Sequence, residues 1–141
     1  MAMHTIDTVW TSVEKTNLWL HALKSKLGWQ DNHATFEALK LTLQTLRDRM
    51  KPEESANFAA QLPMVIRGAF YEGWQPEEVP KKWRHLDAFL EPMQTHFTHA
   101  DAAEIRRIVE CVLATVNEHL SAGIMADVKS MMPDDIKPPF P

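Results

Sequence analysis

Phe36-Glu37-Ala38-Leu39-Lys40-Leu41-Thr42-Leu43-Gln44-Thr45-Leu46-Arg47-Asp48-Arg49-Met50 decides the fold. Phe36, Leu39, Leu43, Leu46 and Met50 fall at alternating steps of three and four, which sets one apolar stripe along an α-helix. Seventy positions on, without a gap, the pattern returns. Leu43 falls on Leu113 and Thr45 on Thr115, while Leu39/Val109, Leu46/Val116 and Met50/Leu120 keep apolar character. The register holds outward in both directions, through Leu20/Leu90, Asp31/Asp101, Ala56/Ala126, Pro63/Pro133, Ile66/Ile136 and Phe70/Phe140. A unit of this length occurring twice describes how a protein is built, and predicts two similar halves, 5–74 and 75–141.

Each half reads as a long helix, a second long helix, a short third one, and a proline-started turn or helix. The first helix is expected over roughly Ile6 to Leu27, with Ile6, Val9, Trp10, Val13, Leu20, Leu23 and Leu27 as its core-facing residues. Lys24 and Lys26 suit its negative end, and Gly28 can take the left-handed conformation that closes it. Its counterpart is expected from about Lys82 to Phe97, kinked at Pro92 because proline supplies no amide hydrogen. In the second long helix of the later half, Asp101 is positioned to cap the first turn while Glu104 reaches back to it. That helix carries Ile105, Ile108, Val109, Val112, Leu113, Val116 and Leu120 over a wide arc, so it is expected to be the more buried of the pair. Pro52 followed by Glu53 and Glu54 starts the third helix. Ser121 is the corresponding cap in the later half.

Two-residue alternation and Asn-Gly or Asp-Gly turns are missing from the sequence, so the expected fold is all-α. Gln75-Pro76-Glu77-Glu78-Val79-Pro80 reads as a linker too short to separate domains. The 141 residues are therefore expected to form one compact domain, burying roughly 70% of the unfolded surface. The tail Lys137-Pro138-Pro139-Phe140-Pro141 cannot be helical, although Phe140 should dock like Phe70.

Composition narrows function. Hydrophobic residues make up 45% and charged residues 24%, and the net charge is −4. An acidic chain with only small basic clusters (Lys24 and Lys26; Lys81, Lys82 and Arg84) does not fit a nucleic-acid binder. No apolar run approaches the roughly 20 residues of a membrane span. The first helix, with Trp10 and Trp19, carries Asp7 and Glu14 on its polar side, which argues against a membrane surface. The single cysteine, Cys111, excludes an internal disulfide and sits in an apolar run, which suits a reducing, cytoplasmic setting. The start, Met1-Ala2-Met3-His4-Thr5, lacks the basic and apolar regions of a signal peptide.

Patterns for chemistry are sparse. The sequence has no phosphate-binding loop, no dinucleotide fingerprint and no nucleophile elbow. His96 and His99, with Asp101, Glu104 and His85 nearby, lack the spacing of a zinc site and read as solvated. No catalytic residue, metal ligand or cofactor is assigned. The densest unusual stretch is Gln61-Leu62-Pro63-Met64-Val65-Ile66-Arg67-Gly68-Ala69-Phe70-Tyr71-Glu72-Gly73-Trp74. The later half keeps only its apolar frame, which leaves Arg67, Gly68, Tyr71, Glu72, Gly73 and Trp74 free of the shared plan. Arg, Tyr and Trp dominate binding hot spots, so Arg67, Tyr71, Glu72 and Trp74 are the candidate binding residues. The competing possibility is that Tyr71 and Trp74 cover the joint between the halves while Arg67 pairs with Glu72.

The string from Leu46-Arg47-Asp48-Arg49-Met50-Lys51-Pro52-Glu53-Glu54-Ser55 through Gln61-Leu62-Pro63, Arg67-Gly68 and Tyr71-Glu72-Gly73-Trp74 resembles a bacterial family of duplicated helical domains, the domain of unknown function numbered twenty-two sixty-seven. The resemblance runs from about Trp19 to Ile136 and implies an all-helical duplicated plan, without a catalytic residue or cofactor. The functional expectation is a non-catalytic binding module, contacting a protein partner or a second copy through Arg67 to Trp74. The alternatives are a small-molecule or metal-binding protein with a pocket between the halves, and a subunit held in an assembly by the wide apolar helix of the later half.

Overall fold

A computed structural model of the protein describes residues 6–141. The elements are α1 (Asp7–Leu27), α2 (Asn32–Arg49), α3 (Pro52–Ala59), α4 (Met64–Tyr71), a 3₁₀ turn (Pro76–Glu78), α5 (Leu86–His96), α6 (Ala102–His119), α7 (Ile124–Ser130) and a 3₁₀ turn (Asp134–Ile136). Among the described residues there is no strand, and the fold is all-α as expected.

The local chemistry explains the boundaries. α1 stops at Gly28, whose φ of 73° is left-handed and whose amide donates to Lys24 O at 2.9 Å. Asp31 and Asp101 cap the two long 18-residue helices, accepting from Ala34 N at 3.1 Å and Glu104 N at 2.9 Å. Glu104 does not reach back to Asp101, however. Arg107, one turn on, holds its carboxylate with two hydrogen bonds of 2.9 and 2.8 Å, and also donates to Leu27 O at 3.2 Å. The reciprocal bond appears instead at α3, where Glu54 accepts from Lys51 N at 2.9 Å.

Two further boundaries differ from expectation. Ser121 is not the cap of α7, because the chain first turns at Gly123, with φ 93°, and the helix starts at Ile124. α5 starts at Leu86 rather than near Lys82, because the preceding segment is held against the end of α2. There Lys81 N donates to Asp48 O at 2.7 Å and Arg49 Nε donates to Trp83 O at 2.9 Å. Pro92 lies inside α5.

α2 and α6 form the centre. α2 packs against α1, α4, α5 and α6, and α6 against α1, α2, α5 and α7. Their side chains join Leu23, Ile66, Phe70, Phe89, Met93, Val128, Ile136 and Phe140 in one contiguous core. Each such side chain contributes roughly 1.5–3 kcal/mol when fully removed from water. Phe140 docks against Phe89 with ring centroids 6.3 Å apart. α6 is not the more buried of the central pair. α2 buries Thr35, Thr42 and Thr45 besides its leucines, and buries Arg47 as well. Thr35 and Thr45 donate to the carbonyls of Asp31 and Leu41 one turn back, and Thr42 donates to Met93 Sδ at 3.6 Å. A threonine bonded to its own helix satisfies its hydroxyl without solvent and packs like valine.

The same substitution of small polar for apolar residues redirects α1. Its buried face is Ser12, Thr16, Trp19, Leu23 and Leu27. Ile6, Val9 and Trp10, expected in the core, are 73%, 45% and 53% exposed. The first two turns of α1 therefore carry an apolar stripe that the core does not cover.

Candidate functional site

The segment Arg67 to Trp74 is mostly turned into the protein. Arg67, on α4, donates from Nε to Ala59 O at 3.0 Å and from a terminal nitrogen to Leu62 O at 2.8 Å. It thereby ties carbonyls at and just after the end of α3 to α4, and it does not pair with Glu72. Tyr71 and Trp74 are half-buried. They continue an aromatic row that starts in the core, with centroid spacings of 5.6 Å for Phe58–Phe70, 5.3 Å for Phe70–Tyr71 and 5.2 Å for Tyr71–Trp74. Trp74 Nε1 is buried and makes no hydrogen bond within the protein. The Glu72 side chain is exposed, but its carbonyl is held by Arg47 at 2.8 Å and Gln44 at 3.3 Å. Gly68 and Gly73 lie at the surface, with Gly73 at φ 75° closing the turn after α4.

What faces outward lies just upstream. Met64 and Val65, at the start of α4, are 52% and 42% exposed. Val65 N donates to Ser12 Oγ at 3.1 Å, which fastens this end of α4 to α1. Between α1 and the α3–α4 joint runs an open groove of about 690 Å³. Trp19 and Leu62 are buried residues along it, Leu18 and Met64 stand exposed at its sides, and Asp7, Lys15, Arg67 and His119 supply charged or titratable groups. His119 stacks on Trp19 with centroids 5.2 Å apart, and its Nδ1 lies 2.8 Å from Thr115 O, to which it donates.

The second surface is the stripe on α1. Ile6, Val9, Trp10 and Val13 sit at i, i+3, i+4 and i+7, one face of the helix. Asp7 and Glu14, seven residues apart, lie along one flank of that face. Ser12 and Thr16, buried against the body, lie along the other. Sequence reasoning named these apolar residues but assigned them to the core. The signal that marks them as surface is the polar pair Ser12 and Thr16 at core spacing with Trp19 and Leu23.

Other reactive groups are accounted for locally. His96 and His99 are exposed beside a hollow of about 350 Å³ that also includes Trp29, Phe97 and Glu104. No group of three His, Cys, Asp or Glu side chains is arranged to hold a metal among the described residues. His85 Nδ1 lies 2.6 Å from Asp135 Oδ2, linking the start of α5 to the last 3₁₀ turn. Cys111 is half-buried. Burial pushes its thiol above the ordinary range, with Arg107 opposing, so the neutral, unreactive form is favoured. No helix of the described residues is long and apolar enough to cross a membrane.

Fold and surface together define a compact all-helical protein with an open groove and an uncovered apolar stripe. By sequence, the chain belongs to the family described as "Uncharacterized conserved protein (DUF2267)", matching it over residues 16–138. No curated protein matches it.

Proposed function

We propose that this protein is a non-catalytic interaction module whose contact surface is the first two turns of α1. The observation that carries the reading is the exposure of Ile6, Val9 and Trp10 on one helical face. Large side chains exposed contiguously mark contact sites more often than chance surface, and tryptophan is prominent among hot-spot residues. Arg67, Tyr71 and Trp74 enter this reading as framework, since their bonds and ring contacts hold α3, α4 and the turn after it. We read the protein as cytoplasmic, on the strength of its single cysteine.

We also infer that the chain is a tandem repeat of one helical unit. α2 and α6 each span 18 residues at an offset of 70. Pro63 and Pro133 both precede a helical turn, with φ −57° and ψ 150° and 153°. In this scheme α1 and α5 are counterparts, and the ten residues by which α1 exceeds α5 (21 against 11) include Val9, Trp10 and Val13 of the uncovered stripe.

The test places a photo-crosslinking amino acid at position 10, and separately at exposed position 91 on α5, in living cells. A discrete adduct from position 10 and none from position 91 supports the reading. Equal labelling at both positions, or none at position 10, overturns it.

The α1–α4 groove favours a second reading, a small-molecule site, because its volume falls in the range of roughly 300–1,000 Å³ typical of ligand pockets. Native mass spectrometry of the purified protein, compared with a Leu18→Arg variant, distinguishes this. A retained mass lost in the variant supports the pocket.

A further inference from the structure

We infer that the partner of the α1 stripe is a basic amphipathic helix of another protein, an assignment that rests on the interaction-module reading above. The stripe is bounded unequally. On its inner flank Ser12 and Thr16 are closed against the body, so an incoming element meets no free charge there. On its outer flank stand Asp7 and Glu14, both exposed and neither in an ion pair among the described residues. Lys15, the nearest cation in sequence, lies about a quarter of a turn from either carboxylate around the helix, and with Asp7 it borders the groove on the far side of that flank.

The i, i+3, i+4, i+7 arrangement of Ile6, Val9, Trp10 and Val13 is a ridge that fits the grooves of another helix. A partner helix on it must place cations opposite Asp7 and Glu14 to avoid leaving two carboxylates facing apolar or acidic surface. A second copy does not meet this condition. An antiparallel two-fold pairing sets each flank against itself, which brings the Asp7/Glu14 flank of one copy onto that of the other. An anionic membrane is disfavoured by the same two carboxylates, and the net charge of −4 acts in the same direction.

The experiment measures binding of two synthetic helical peptides by calorimetry at low and high salt. Both carry the same leucine face; one is flanked by lysine and the other by glutamate. The lysine peptide is expected to bind at least about tenfold more tightly at low salt, with the difference shrinking at high salt. D7K/E14K is expected to invert the order, while D87K/E91K, the same charge change on α5, preserves it. Trp10→Ala is expected to abolish binding of both peptides while the thermal midpoint stays at the wild-type value.

Inversion by D87K/E91K as well reduces the effect to overall charge and overturns the inference. Binding of neither peptide to a folded protein that still crosslinks at position 10 overturns the basic helix but leaves the interaction module standing. A sedimenting dimer that Trp10→Ala converts to monomer assigns the stripe to a second copy. Trp10-dependent binding to vesicles of anionic lipid assigns it to a membrane. Either of these last two results overturns the inference.

Discussion

Ser12 on α1 caps α4, its Oγ accepting the amide hydrogen of Val65 at 3.1 Å. The first amides of any α-helix lack intrahelical acceptors, and Pro63, at the capping position of α4, has no side-chain oxygen to offer. The cap is supplied from 53 residues away. Ser12→Ala is expected to lower stability by about 1–2 kcal/mol, the effect of removing a cap and leaving a partly buried donor unpaired. Urea denaturation of the two proteins measures it. A change near zero removes Ser12 from the framework.

Arg67 bridges two carbonyls, so its shape matters as well as its charge. Arg67→Met is expected to destabilise by about 2 kcal/mol, the scale for hydrogen bonds from a charged donor. Arg67→Lys keeps the charge but not the forked geometry, and is expected to recover less than half of that loss. Full recovery by lysine in denaturation experiments would mean that charge alone is what this position requires.

Trp74 presents a contrast between two substitutions. Its Nε1 is buried without a hydrogen bond, so removing that group relieves a desolvated donor. Trp74→Phe is expected to remain within about 1 kcal/mol of wild type. Trp74→Ala, which breaks the stack on Tyr71, is expected to be clearly less stable than Trp74→Phe. Equal stability of the two variants would show that the ring contributes no packing.

Glu104 gives a pH dependence with a definite sign. The hydrogen bonds from Arg107 hold its carboxyl below the ordinary range, with burial opposing and the Arg107 charge assisting. A folded-state value below the unfolded one stabilises the protein above the unfolded pKa, and that contribution is lost as pH falls through the folded value. Glu104→Gln is therefore expected to flatten the fall in stability below about pH 4. Thermal melts from neutral to acid pH check this, and an unchanged acid slope contradicts it.

Much of the fold was legible because apolar side chains in α2 and α6 recur at helical spacing, and because Gly28, Asp31, Pro52 and Asp101 mark helix ends by their own chemistry. What the sequence concealed lies where polar residues do apolar work. Thr35, Thr42, Thr45 and Arg47 bury themselves in α2 by bonding to backbone or sulfur, which widened its buried face beyond the leucine stripe. Ser12 and Thr16 do the same in α1. There the disguise is complete, since Ile6, Val9 and Trp10 look like core and Ser12 looks like surface. The start of α5 was misjudged because hydrogen bonds from Lys81 and to Trp83 are tertiary, and no local pattern announces them.

The division of α1 into a buried stretch and an uncovered one gives the helix two rates of amide exchange. Backbone hydrogens near Trp19 and Leu23 are shielded by the core, whereas those near Trp10 have only the helix itself to protect them. Any molecule that settles on the stripe must slow the second group and leave the first nearly unchanged. The helix therefore serves as its own occupancy gauge, read with deuterium and requiring neither label nor substitution.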